Sequence, residues 1–147
     1  MRLLVLSLLL ATSGCAALRP PAPAASLPAV EWGSSFGMCV GYCSSRLVVA
    51  PDGTATLTET GTRSGPIAPR VRSRALTDAE RVGLAEAASA STVAADTLGC
   101  PDCADGGAEY VEQGGQRVSF EYGGDAGTAA PLAAALRAVR ETFPRIE

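Results

Sequence analysis

The residues in this chain whose type and spacing carry chemistry are its five cysteines. Cys15 stands near the start. Cys39 and Cys43 enclose Val40-Gly41-Tyr42, and Cys100 and Cys103 enclose Pro101-Asp102. With Cys15 set apart the number is even, which in an exported domain of this size points to disulfides, because the compartment is oxidising. The local pairs Cys39–Cys43 and Cys100–Cys103 are favoured, since each spacing can bring the Cα atoms within bonding range through a turn. Gly41 and Pro101 stand where tight turns want them. The alternative is a crossed pairing that pins the first strand region to the loop before the second hairpin.

Other chemistries for these thiols compete with disulfides. Cys100-Pro101-Asp102-Cys103 has redox CxxC spacing, but a reactive thiolate needs a helix N-terminus after a strand. Here Ala104-Asp105-Gly106-Gly107 and a strand follow, and Asp102 and Asp105 disfavour a thiolate. Cys39, Cys43, Cys100 and Cys103 together have plausible spacing for a four-thiolate zinc site, which oxidising export disfavours. Asp102, Asp105 and the adjacent glycines lack the periodic oxygen ligands of a calcium loop and read as a solvated turn. The chain contains no His, which removes the commonest general base and metal ligand. No nucleophile elbow and no phosphate-cradling glycine loop before a helix is recognisable. No catalytic residue and no cofactor is assigned.

Cys15 belongs to a different pattern. Met1 and Arg2 form a minimal positive region, residues 3–11 a short apolar run, and Thr12-Ser13-Gly14 a small-residue exit. This is the three-part layout of a signal peptide over residues 1–14, too short to remain as a spanning helix. A cysteine at that boundary resembles a bacterial lipobox, although Thr12 stands where the pattern prefers Leu. Lipid attachment at Cys15 is therefore expected, with ordinary cleavage after a small-x-small site such as Cys15-Ala16-Ala17 as the alternative. Two acyl chains plus an amide-linked third would anchor the protein durably without a spanning helix. Ala16, where an Asp would signal inner-membrane retention, points to the outer membrane if the cell is Gram-negative. The expected address is the cell envelope, and the expected partners are the membrane, through the lipid, and an envelope or extracellular protein.

The elements that position these residues follow from patterning. Residues 15–29 hold Pro20, Pro21, Pro23 and Pro28 among alanines and read as an extended tether, leaving residues 30–147 as one domain. Net charge is −3; loss of Arg2 with the leader leaves 11 basic against 15 acidic residues, or −4. Such a weakly acidic, mixed surface argues against nucleic acid. Arg46–Ala50 and Thr54–Glu59 flank Pro51-Asp52-Gly53 as a hairpin, and residues 108–112 and 117–122 flank Gln113-Gly114-Gly115-Gln116 as a second. Val118, Phe120 and Tyr122 share one face. Pro66 to Arg74 reads as a further strand, confined to an edge by Pro69. Thr77-Asp78-Ala79-Glu80 is a capping box opening a helix to about Ala90, with Ala79, Val82, Leu84 and Ala87 partly inward. A second helix opens near Pro131, carries Leu132, Leu136, Val139 and Phe143 on one stripe, and ends at Pro144. The fold class is α+β: a small antiparallel sheet of two hairpins with two helices packed on one face.

Phe36-Gly37-Met38-Cys39-Val40-Gly41-Tyr42-Cys43, then Leu47-Val48-Val49 and Pro51-Asp52-Gly53-Thr54, resembles an uncharacterised family of bacterial secreted or lipoprotein domains. Its members open with a C-x-G-x-C turn into a strand and a D-G hairpin. Ser44 stands in place of the family's Pro, and an aromatic expected near Arg46-Leu47 is missing. The Gly99–Gly107 segment is similar to a feature of a subgroup only, so the resemblance implies local pairing of the first two cysteines. It supports fold and export and carries no activity. The expected function is a non-enzymatic binding or envelope-structural module, with Met38–Tyr42 and nearby Trp32 and Phe36 as contact surface or, equally, as a capped core edge. The alternative is a secreted enzyme or a protease-inhibitor-like domain with a disulfide-braced loop.

Overall fold

In the computed structural model, residues 26–61 and 67–144 are described. The leader, Cys15 and the tether through residue 25 lie outside the described residues, as does Pro66. The order is β1 (Val30–Ser35), β2 (Tyr42–Val49), β3 (Thr54–Gly61), β4 (Arg70–Ala75), α1 (Asp78–Ala90), β5 (Asp96–Thr97), β6 (Ala108–Gln113), β7 (Gln116–Glu121) and α2 (Ala130–Glu141). The strands form one sheet ordered β4-β3-β2-β1-β6-β7-β5. All pairings are antiparallel except β5 with β7.

The class is α+β, but the sheet is seven-stranded and mixed instead of two antiparallel hairpins. Both hairpins are present, and each turn has its expected chemistry: φ is +84° at Gly53 and positive at Gly114 and Gly115. What joins them is β1, the central strand, flanked by β2 and β6. Trp32-Gly33-Ser34-Ser35 has weak strand propensity, and burial between two partners overrides it. Gly33 has a specific neighbour there: a Cβ would stand 2.2 Å from the Tyr110 ring. That ring donates its hydroxyl to Glu31 and lies under Arg117, so it covers the glycine on the outward face. β5 is two residues long and joins only through its parallel pairing.

One core cluster takes Val30, Trp32, Leu47, Leu57, Val111 and Phe120 from the sheet and Leu84, Leu132, Leu136 and Val139 from the helices. The α2 stripe is buried as expected, including Phe143. The α1 expectation needs correcting: Leu84 and Ala88 are its buried residues, while Val82 is 52% exposed and Ala79 is exposed. An i, i+4 pair of contacts suffices for a helix that meets the core along a narrow line. Tyr122 also departs from its expected face, because β7 ends at Glu121; the ring is exposed and packs on Phe36 at 4.4 Å.

β4 is the edge strand expected from Pro69. Its arginines Arg70, Arg72 and Arg74 pair across the ladder with Glu59, Leu57 and Ala55, so they share the core-facing side. Arg72 and Arg74 lie over the Phe143 ring at 5.9 and 5.2 Å. The guanidinium groups that face the aromatic also reach Glu59 and Glu80. Inward-pointing charge is a recognised guard against edge-to-edge pairing.

Register divides the sheet into two poles. At one lie Val30, the 50–53 turn, Ala75 and the 114–115 turn. At the other lie Ser35, the 36–41 loop, Gly61, Arg70, Ala108 and Glu121. The chain enters β1 at the first, proximal pole; the second is the distal pole.

Candidate functional site

The distal pole holds both cysteine pairs. Cys39 is bonded to Cys43 and Cys100 to Cys103, with Cα separations of 5.6 and 5.4 Å. These are the local pairs favoured from spacing. All four thiols are committed, so neither a four-thiolate zinc site nor a crossed pairing is formed. Among the described residues no group of three or more His, Cys, Asp or Glu converges as metal ligands would.

The two braced loops touch. Phe36 lies against Gly107, whose φ is +86° and whose Cβ would meet the ring at 2.6 Å. A Cβ on Gly37 would meet the Asp105 carboxylate at 3.2 Å. The Gly107 carbonyl accepts from the Asp102 and Tyr122 amides, tying the second loop to the end of β7. Three non-glycine residues of that loop, Asp102, Ala104 and Asp105, have φ between 52° and 61°. This left-handed backbone costs a side-chain-bearing residue roughly 1–2 kcal/mol, least for Asp. Glu121 receives the Cys100 amide, so carboxylates surround this pair, as Asp102 and Asp105 foreshadow in the sequence. The first loop offers apolar surface: Met38 is 62% and Val40 87% exposed. Trp32, expected nearby, is instead buried in the core.

Beside these loops the core-facing side of the sheet turns polar. Register places Glu109, Ser34, Ser45, Glu59 and Arg70 in one row across β6, β1, β2, β3 and β4. One step toward the proximal pole on the same side stand Val111, Trp32, Leu47 and Leu57, all apolar. Glu109, Ser34, Ser45 and Glu59 of this row floor a cavity of about 170 Å³ that Arg137, Arg140 and Glu141 of α2 also line. A second cavity of about 260 Å³, bounded by Leu57, Arg72, Phe143 and Pro144, shares Glu59, Arg140 and Glu141 with it. The two form one groove beneath the C-terminal end of α2.

Most charges in the groove are already matched. Glu109 is 3% exposed; it accepts from Trp32 Nε1 at 3.1 Å, from Arg137 Nε at 2.7 Å and from the Gly123 amide at 3.3 Å. Glu59 pairs with Arg72. Tyr42 donates to the Ala68 carbonyl and carries Arg70 over its ring at 4.1 Å. Arg140 differs: its side chain has no hydrogen-bond or ion-pair partner among the described residues, and its Nε, like that of Arg72, is buried without an acceptor. These groove residues were not found from the sequence. Their signal was available in the alternation, because Glu59 falls on the side of Ala55 and Leu57, and Glu109 on that of Val111.

The outward face carries the other polar cluster. Glu31 accepts from Arg46 and Tyr110 and lies 3.5 Å from Arg117. Burial opposes ionisation of the Glu31 carboxyl, but those hydrogen bonds and charges outweigh it and hold its pKa below the ordinary value. Burial first, then the bond to Glu31, pushes the Tyr110 phenol up to about 12. This network is internally matched and holds a ring over Gly33. No helix among the described residues is long and apolar enough to cross a membrane. In comparisons with known proteins, no family model and no curated protein matches the chain.

Proposed function

We propose that this protein is an exported, lipid-anchored component of the cell envelope. It acts as a non-enzymatic binding module, held by Cys15 and the Pro/Ala tether and presenting its distal pole to an envelope or extracellular protein. The resemblance of the C-x-G-x-C turn and D-G hairpin to secreted and lipoprotein domains is in keeping with this reading. The observation that carries it is directional. The tether enters at Val30, while Met38 and Val40, the most exposed apolar residues on a disulfide-braced loop, follow the opposite end of the same strand. A short braced loop loses little conformational freedom on binding, so its apolar contacts convert more fully into affinity.

Two measurements test this. Cys15→Ser should shift the protein from the membrane to the soluble fraction; a mutant that stays membrane-bound refutes the anchor. A photo-crosslinking residue at Val40 should give discrete adducts in intact cells, whereas one at Val82, also apolar and exposed but on α1, should not. Equal adducts at both positions, or none at Val40, would rule out the loop as contact surface.

A further inference from the structure

We propose that Arg140 anchors a binding site for a small monocarboxylate with a short apolar body, seated in the groove beneath the end of α2. This rests on the reading of the distal pole as a binding surface and gives it a ligand chemistry.

The charges single out the residue. Among the described residues the groove is lined by Arg70, Arg72, Arg137 and Arg140 and by Glu59, Glu109 and Glu141. Arg72 and Arg137 are paired to Glu59 and Glu109. Glu141 is solvent-exposed and makes no ion pair with Arg140. Arg140 has no ion-pair partner among the described residues, and its Nε, like that of Arg72, is a buried donor without an acceptor in the groove. A guanidinium presents two parallel donors that match a carboxylate edge to edge. The half-negative C-terminus of α2 disfavours an anion on the helix axis, so the ligand's charge must lie on the guanidinium fork.

Shape and sign narrow the class further. Glu59 and Glu141 admit a single negative charge and repel a second, which selects a carboxylate over a phosphate dianion. Leu57, Phe143 and Pro144 form the apolar wall. That wall belongs to the cavity of about 260 Å³, below the roughly 300–1,000 Å³ typical of drug-sized ligands, so the apolar body that fits against it is short.

The test uses the full-length protein purified in detergent, with arginine Nε–H resonances followed by NMR at constant ionic strength. Butyrate should shift the Arg140 resonance saturably, and inorganic phosphate should not. Arg140→Gln should weaken butyrate binding by about tenfold or more, the loss of a charge-assisted bidentate pair. Arg140→Lys, which keeps the charge but not the fork, should weaken it too. The wild-type titration stands even if a variant folds poorly. The site is refuted if butyrate gives no saturable shift, if phosphate matches butyrate, or if Arg140→Lys binds like wild type. Adducts at Val40 that persist in Arg140→Gln would separate failure of this site from failure of the loop as a contact surface.

Discussion

At the scale of residues, the two disulfides differ in the access they give a reductant. Cys100 and Cys103 are both exposed, whereas Cys43 is 2% exposed behind the start of β2. Thiol exchange needs in-line access to sulfur, so accessibility orders the two reactions. Limited reduction followed by alkylation and peptide mass mapping should label Cys100 and Cys103 well before Cys39 and Cys43. Simultaneous labelling would show that the first loop opens as readily as the second. The pairing itself was legible from spacing, because turns of three and four residues are local geometry. Arg140 was not legible. Its position off the apolar stripe of α2 reads as solvent-facing, and only the row contributed by five strands makes a groove over it.

At the scale of elements, α1 shows how a local sequence device becomes a pH-dependent one. The Thr77 hydroxyl accepts from the Glu80 amide, and Glu80 accepts from the Thr77 amide at 2.8 Å, completing the box expected from the sequence. Arg74 of β4 adds a bidentate pair to the same carboxylate. Those Arg74 bonds, and then the Thr77 groups, lower the Glu80 pKa from 4.5 to about 2. Since the folded value is the lower one, the unfolded chain binds the proton first. The stabilisation is complete above about pH 4.5 and is lost as pH falls towards 2. Urea unfolding should therefore separate wild type from Glu80→Gln most at neutral pH, with the gap narrowing at pH 3; a gap of constant width would exclude the linkage. Thr77→Ala should cost about 1 kcal/mol at neutral pH by the same measurement. The helices and hairpins were readable because each rests on a local signal: a cap, an apolar stripe or a glycine turn. β1 and β5 were not, since their pairing is set by partners far along the chain.

At the scale of the whole molecule, the apolar core ends in a buried polar row, and one ion pair closes that boundary. Glu109 is enclosed between Phe120, Trp32 and α2, with Arg137 as its cation at 2.6 Å. Arg137→Ala leaves that carboxylate buried with only two neutral donors. Because Arg137 is itself part-exposed, the loss should fall at or below the low end of the roughly 3–5 kcal/mol usual for a broken buried pair. Chemical denaturation reads it directly, and a change under 1 kcal/mol, about the worth of a surface pair, would place Glu109 in contact with solvent.

The central position of β1 has a mechanical consequence. Traction between residues leading into Val30 and a load carried at the distal pole runs along this strand. It is laddered on both sides, to β2 and to β6, over its whole length. Extraction must therefore break two sets of hydrogen bonds lying across the pull together, instead of peeling one hairpin open pair by pair. Resistance to force is governed by the unfolding barrier and not by equilibrium stability. The arrangement suits a chain fixed at one end and tugged at the other.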